Sequence, residues 1–391
     1  MADLQDDPQV DPAAGDAVGE PPDGAISGAP SAVSTDAAAP AGADERTDPT
    51  ADPTASSDTS SPPEAAPPPA AASTSDVARI LEDPVLARAR ELLSRHPVAD
   101  GYSGLARGLN ESPWCDLEHG DSLLETDIPR LRHGGVGAQF VSLLVPSDAS
   151  GDAVLRATLE QIELVRSLVA SCPEGLSLAF GADDMADARN RGRVATLLGP
   201  AAGAALAGSL SVLRAYRRLG VRSVTLAGAD PGAARSALTP FGHEAVLEMN
   251  RLGILVDLSG CSPDTMRRTL TIAKAPAVLS HHPGDLSDEV LRQLRANRGV
   301  YMVLCTASSI RETADRLDGI SDTAGVETVA LSGAFDTGSP HAPGLKDVSC
   351  FPRLIAELLD RNWPEADIAA ITWGNTLRVL RAAEFVARAA A

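Results

Sequence analysis

Eight short apolar runs, separated by stretches of helical periodicity, constrain this chain more than any other feature. The runs are residues 97–102, 137–145, 194–199, 222–227, 253–258, 276–280, 299–304 and 327–332. Each reads as a short strand. The first helical signal spans Asp76 to Ser94 and contains the start pair Asp83-Pro84. Residues 152–171 carry Val154, Leu155, Leu159, Ile162, Val165 and Leu168 on one predicted face. Residues 209–219 stop at Gly220, and Ser262-Pro263-Asp264 and Ser287-Asp288-Glu289 open further helices. Closing helices are expected near 349–361 and 364–389, with a break at Gly374. Strand–helix alternation over roughly 300 residues predicts an eight-stranded parallel β/α barrel of the TIM type. An open doubly wound sheet is the alternative, but no strand is followed by Gly-x-Gly-x-x-Gly and there is no Walker A motif.

Composition divides the chain near residue 75. Residues 1–75 hold no aromatic and no Lys, with eleven Asp and three Glu against the single Arg46, a net charge of −13. Such a segment cannot bury enough apolar surface to offset its chain entropy, so a disordered tail is expected, followed by a barrel over 76–391. The whole chain carries −20, which leaves −7 on the barrel. An acidic body argues against nucleic acid as a partner. No run approaches the ~18 apolar residues of a membrane span, and the first residues lack a signal-peptide pattern, so the cytoplasm is the expected location. The five cysteines (Cys115, Cys172, Cys261, Cys305, Cys350) show no metal-ligand spacing and are expected to be reduced.

A barrel places its chemistry just past the C-terminal ends of its strands. Polar groups there are Ser103, Asp230, Cys261, His281, His282, Cys305, Thr306 and Asp336. Cys261 or Cys305 with His281 would make a nucleophilic pair; the plainer reading is a small buried thiol beside an unused histidine. His281 and His282 with Asp230 or Asp336 would make a mononuclear metal site, but adjacent residues on extended backbone point to opposite sides. Asp100 and Asp257 read as structural.

Several segments together resemble the renal or membrane dipeptidase family. They are ETDIPRLRHGGVGAQFVSLLVP from Glu125, VATLLG from Val194, LTPFGHEAVLEMNRLGILVDL from Leu238, APAVLSH ending at His281, and LIAELLDRNW with GNTLRVL near the end. The resemblance runs from about Val98 to Val386 and implies a metallo-dependent-hydrolase-like barrel with two zinc ions. In that family a bridging hydroxide attacks a dipeptide carbonyl, a histidine stabilises the oxyanion and an aspartate moves the proton.

Carried over position by position, most of that machinery is missing. The first strand end should read Asp-Gly-His-x-Asp; here Asp100 and Gly101 are followed by Tyr102 and by Gly104 in the second ligand position. Ala201 replaces the bridging glutamate, Gly228 the oxyanion histidine, Gly260 the histidine after the fifth strand, and Ala334 the catalytic aspartate. Ser280-His281 matches, so His281 is the one ligand-type residue kept.

The resemblance therefore predicts a family member that has lost zinc binding and hydrolysis, needs no cofactor, and serves as a scaffold, a small-molecule binder or a partner subunit. A homodimer is expected by analogy. Tyr102, Asp230, Cys261, His282 and Asp336 are its expected pocket residues. The alternative is a zinc-dependent dipeptidase with a rebuilt site. A third reading gives the function to the acidic tail as a docking arm for a protein partner.

Overall fold

The computed structural model describes residues 83–120, 122–145, 151–229 and 238–390. The expected tail, the start of the first predicted helix and Asp230 lie outside the described residues. All eight predicted runs form strands. They are β1 (Val98–Ser103), β2 (Val136–Leu143), β4 (Val194–Ala201), β5 (Ser223–Thr225), β6 (Leu255–Asp257), β7 (Val278–Leu279), β8 (Val300–Leu304) and β9 (Val329–Ser332). A short extra strand, β3 (Leu176–Leu178), pairs with the first residues of β4, whereas β5 pairs with the last. Every pairing is parallel, in the order β1-β2-β4-β5-β6-β7-β8-β9. Two bonds past the strand ends draw β9 back onto β1: Ala334 N donates to Tyr102 O (2.9 Å) and Gly104 N donates to Phe335 O (2.7 Å). The sheet is thus a nearly closed β/α barrel.

Successive strand residues join opposite apolar clusters, as the two-residue side-chain period requires. Val98, Val136, Val141, Leu198, Val256 and Leu331 pack outward with the helices. Ala99, Ala138, Phe140, Leu197, Leu255 and Met302 form a second cluster with Trp373, Val379 and Leu380. A Cβ on Gly101 of β1 would collide with Met302 of β8, two strands away, which places both positions in the barrel interior.

The helices start where the sequence punctuates. Asp83 caps Pro84–Arg95 by accepting from Val85 N (3.0 Å), and Ser262 caps Pro263–Ile272 by accepting from Thr265 N (3.2 Å). Leu210–Leu219 ends at Gly220 in the left-handed conformation, where glycine carries no Cβ penalty. The expected break at Gly374 is a π turn, Ala370–Gly374, between Glu365–Ala369 and Asn375–Ala389. One predicted face needs correction. Helix Asp152–Ser171 buries Val154, Thr158, Gln161, Ile162, Val165 and Val169, and leaves Leu159 41% exposed. The stripe steps by four, seven, eight and eleven residues from Val154, and Leu159 falls off it.

Candidate active site

The rim beyond the strand ends is built from backbone turns and one aromatic stack. At the end of β1 the buried Asp100 carboxylate accepts from Tyr102 N (3.2 Å) and from Gly333 N (2.6 Å), tying β1 to the loop after β9. Burial pushes its pKa up to about 7. The Tyr102 ring then lies among Leu144, Leu304 and Ala334, an apolar cluster separate from both cores. It stacks on His281, with ring centroids 4.3 Å apart and planes 11° off parallel. Burial drives the Tyr102 hydroxyl up to about 12, so it is a neutral phenol at physiological pH.

At the end of β7 a relay holds His281. The buried Asp257 accepts the hydroxyl proton of Ser280, along with Ser259 N (2.9 Å) and Ser280 N (3.3 Å). With its proton committed to Asp257, Ser280 Oγ accepts from His281 Nδ1 at 2.8 Å. That fixes the proton on Nδ1 and leaves the Nε2 lone pair free. His281 N is held by Ser259 Oγ (3.0 Å), and burial keeps the imidazole below its ordinary pKa despite Asp257. The adjacent His282 lies elsewhere, edge-on to Tyr301 with ring centroids 6.4 Å apart. The two histidines do not converge.

The other expected positions carry no donors. Gly228 and Gly260 are left-handed (φ 77° and 75°). Ala334 is left-handed as well, at φ 57°, and buried. Ala201 follows the cis Gly199-Pro200 peptide and packs into the outer core. Gly104 has no room for a side chain: a Cβ there would sit 2.7 Å from Thr337 N and closer still to the Asp336 carbonyl.

Two expected pocket residues belong elsewhere. Asp336, left-handed at φ 59°, faces away from the strand ends: its Oδ1 accepts from Glu125 N (2.7 Å), while Asp336 N donates to Glu125 Oε2 (2.6 Å). Burial pushes its pKa up to about 6. Cys261 is buried, and burial followed by the Asp257 charge drives its thiol up to about 12, which removes the thiolate a nucleophile needs. Cys305 is fully buried and shifted the same way. Sequence reading missed His341, which donates from Nδ1 to Cys305 O (3.0 Å), stacks on Phe335 and brings Nε2 within 3.6 Å of Glu125 Oε2. Nothing in its local sequence marks that contact.

Two zinc ions need several carboxylate and imidazole donors converging on one space. Among the described residues no three His, Cys, Asp or Glu side chains do so. Among the described residues the one donor that matches the family pattern is His281 Nε2, on a ring stacked against a neutral phenol. The described residues do not fit the metal pair.

Barrel and rim together define the class: a nearly closed parallel β/α barrel whose strand-end positions, among the described residues, bring no set of metal-ligand side chains together. Comparison with known proteins narrows this. The membrane dipeptidase family (peptidase family M19) matches over residues 86–391. Dipeptidase 3 of Mus musculus is 34% identical over 333 residues, covering 76% of this chain and 67% of the relative. Dipeptidase verJ of Clonostachys rogersoniana is 34% identical over 345 residues, covering 78% and 89%. The chain belongs to the membrane dipeptidase family. In fold it is similar to the probable dipeptidase PvdM from Pseudomonas aeruginosa (TM-score 0.69, 18% identity, 77% of this chain and 99% of that one). It is also similar to a metallo peptidase from Rhodobacter sphaeroides liganded with a phosphinate mimic of L-Ala-D-Ala (TM-score 0.66, 20% identity, 73% and 99%).

Proposed function

We propose that this barrel has given up zinc-dependent dipeptide hydrolysis and acts by binding, as a scaffold or partner subunit. The observation that carries the reading is Gly104. Its Cβ position is occupied by the Asp336–Thr337 backbone, so the second ligand of the first strand end is missing in chemistry and excluded by space. The oxyanion and proton-transfer positions, Gly228 and Ala334, support it further. Each such group is worth on the order of 10²–10⁴ in rate, and losing both with the metal leaves no source of catalysis.

The test is metal analysis of purified protein beside hydrolysis of a dipeptide panel. Well under one zinc per chain is expected, with turnover no faster than the buffer blank. About two zinc per chain, with turnover abolished by a chelator, would sink the proposal and establish the alternative of a dipeptidase with a rebuilt site. One observation favours that alternative: the Asp257–Ser280 relay still holds His281 with Nε2 as a free donor to a metal.

A further inference from the structure

A groove of about 1120 Å³ runs beside the rim, between helix Leu105–Glu111 and helix Asp152–Ser171. We propose that it is the docking site for a short extended segment of another protein, carrying arginine or lysine between small apolar residues. Its volume exceeds the ~300–1,000 Å³ of a typical small-molecule site, and it is open along one side. Leu144, Val145, Ala157 and Leu164 give it apolar lining. The helix lining from Ala157 to Ser167 is ~15 Å long at 1.5 Å per residue, which spans four or five residues of extended chain at ~3.3 Å each.

Charge selects the occupant. Arg107 and Glu111 neutralise each other at 2.9 Å, and Arg107 also donates to Thr337 O. Glu160 and Glu163, three apart and so on one side of their helix, are left over. Glu160 has no hydrogen-bond or ion-pair partner among the described residues, and Glu163 accepts only from Ser167 Oγ (3.2 Å). Next to Glu160 in the chain is Gln161, 7% exposed, whose Nε2 donates to Leu144 O while its Oε1 has no partner among the described residues. A buried acceptor left alone costs about 1–3 kcal/mol, so a donor brought to Gln161 Oε1 is favoured. A guanidinium or ammonium among apolar side chains supplies that donor and the missing positive charge. The chain's own first 75 residues carry −13, the wrong sign for this groove. Leu144 also packs under Tyr102, so the groove adjoins the rim, but the proposal stands whether or not the rim retains chemistry.

The test uses the full chain and a fluorescein-labelled heptapeptide, Ala-Arg-Leu-Ala-Arg-Ala-Leu, with a counterpart carrying glutamate for arginine, read by anisotropy. The arginine peptide should bind, weaken as salt rises, and lose at least tenfold in affinity to the double variant Glu160→Lys/Glu163→Lys. Gln161→Leu should lose several-fold. The acidic tail is common to wild type and variant, so its attraction for the peptide cancels in the comparison. Both glutamates are exposed, so the double variant should melt with wild type, and it decides the matter alone if Gln161→Leu lowers the melting temperature. Unchanged affinity in the double variant, equal binding of the two peptides, or no binding at millimolar peptide would overturn the proposal. So would full displacement by equimolar arginine amide, which would mark a small-cation site.

Discussion

Replacing Asp100 by Asn should change how stability depends on pH, and the structure sets the size of the change. Asp100 is 1% exposed and its carboxyl titrates near 7 in the folded chain, against 3.8 for an exposed aspartate. The folded state therefore holds this proton more tightly than the unfolded state. Its contribution is fully present below pH 3.8 and is lost as pH rises through about 7. A gap of about three pKa units at 1.36 kcal/mol each puts the loss at ~4 kcal/mol across that window. Asparagine keeps an oxygen to accept from Gly333 N and Tyr102 N and never ionises, so it removes this slope. Its extra N–H group is left unpaired at a cost of about 1–3 kcal/mol at every pH. Asp100→Asn should thus be the less stable protein at pH 4.5 and the more stable, by ~1–3 kcal/mol, at pH 8. Urea unfolding of both proteins at half-unit steps between those limits measures it. Parallel stability curves with no crossing would refute the assignment of the proton to Asp100.

Three further outcomes follow from the rim. Gly104→Ala forces a methyl into the Asp336–Thr337 backbone and should cost ~1–3 kcal/mol or more in urea unfolding, whereas Gly228→Ala, whose methyl would come no nearer than 3.6 Å to any neighbour among the described residues, should lose only the ~1 kcal/mol of a left-handed alanine. Ser280→Ala strips the hydroxyl donor from the fully buried Asp257; it should destabilise by about 1.5–3 kcal/mol, and a loss below ~0.5 kcal/mol would disprove the relay. Adding excess zinc or a chelator should leave the melting temperature within about 1 °C, since a ligand at ~100 times its Kd would add ~2.7 kcal/mol and shift it visibly.

What could be read from the chain, and what could not, divides along a physical line. The eight barrel strands were legible because each is an apolar run bounded by helical periodicity. β3 was not, because Leu176–Leu178 is three residues with a serine at its centre and only Leu176 fully buried. Missing donors were legible too, since Gly104, Ala201, Gly228, Gly260 and Ala334 have no group to offer a metal wherever the backbone takes them. Their surroundings were not. That Gly104 is excluded from carrying a side chain depends on the left-handed turn through Ala334 and Asp336, residues more than 200 positions away. Tyr102 illustrates the same limit. As a substitution it reads as a lost histidine, yet in space it brings an aromatic ring, a neutral phenol and an apolar cluster to the place where charge would have gathered. A rim altered only by deletion would keep an open, polar cavity. Here Tyr102 of β1 and Leu304 of β8 fill that place with apolar surface, together with Leu144, which also lines the neighbouring groove.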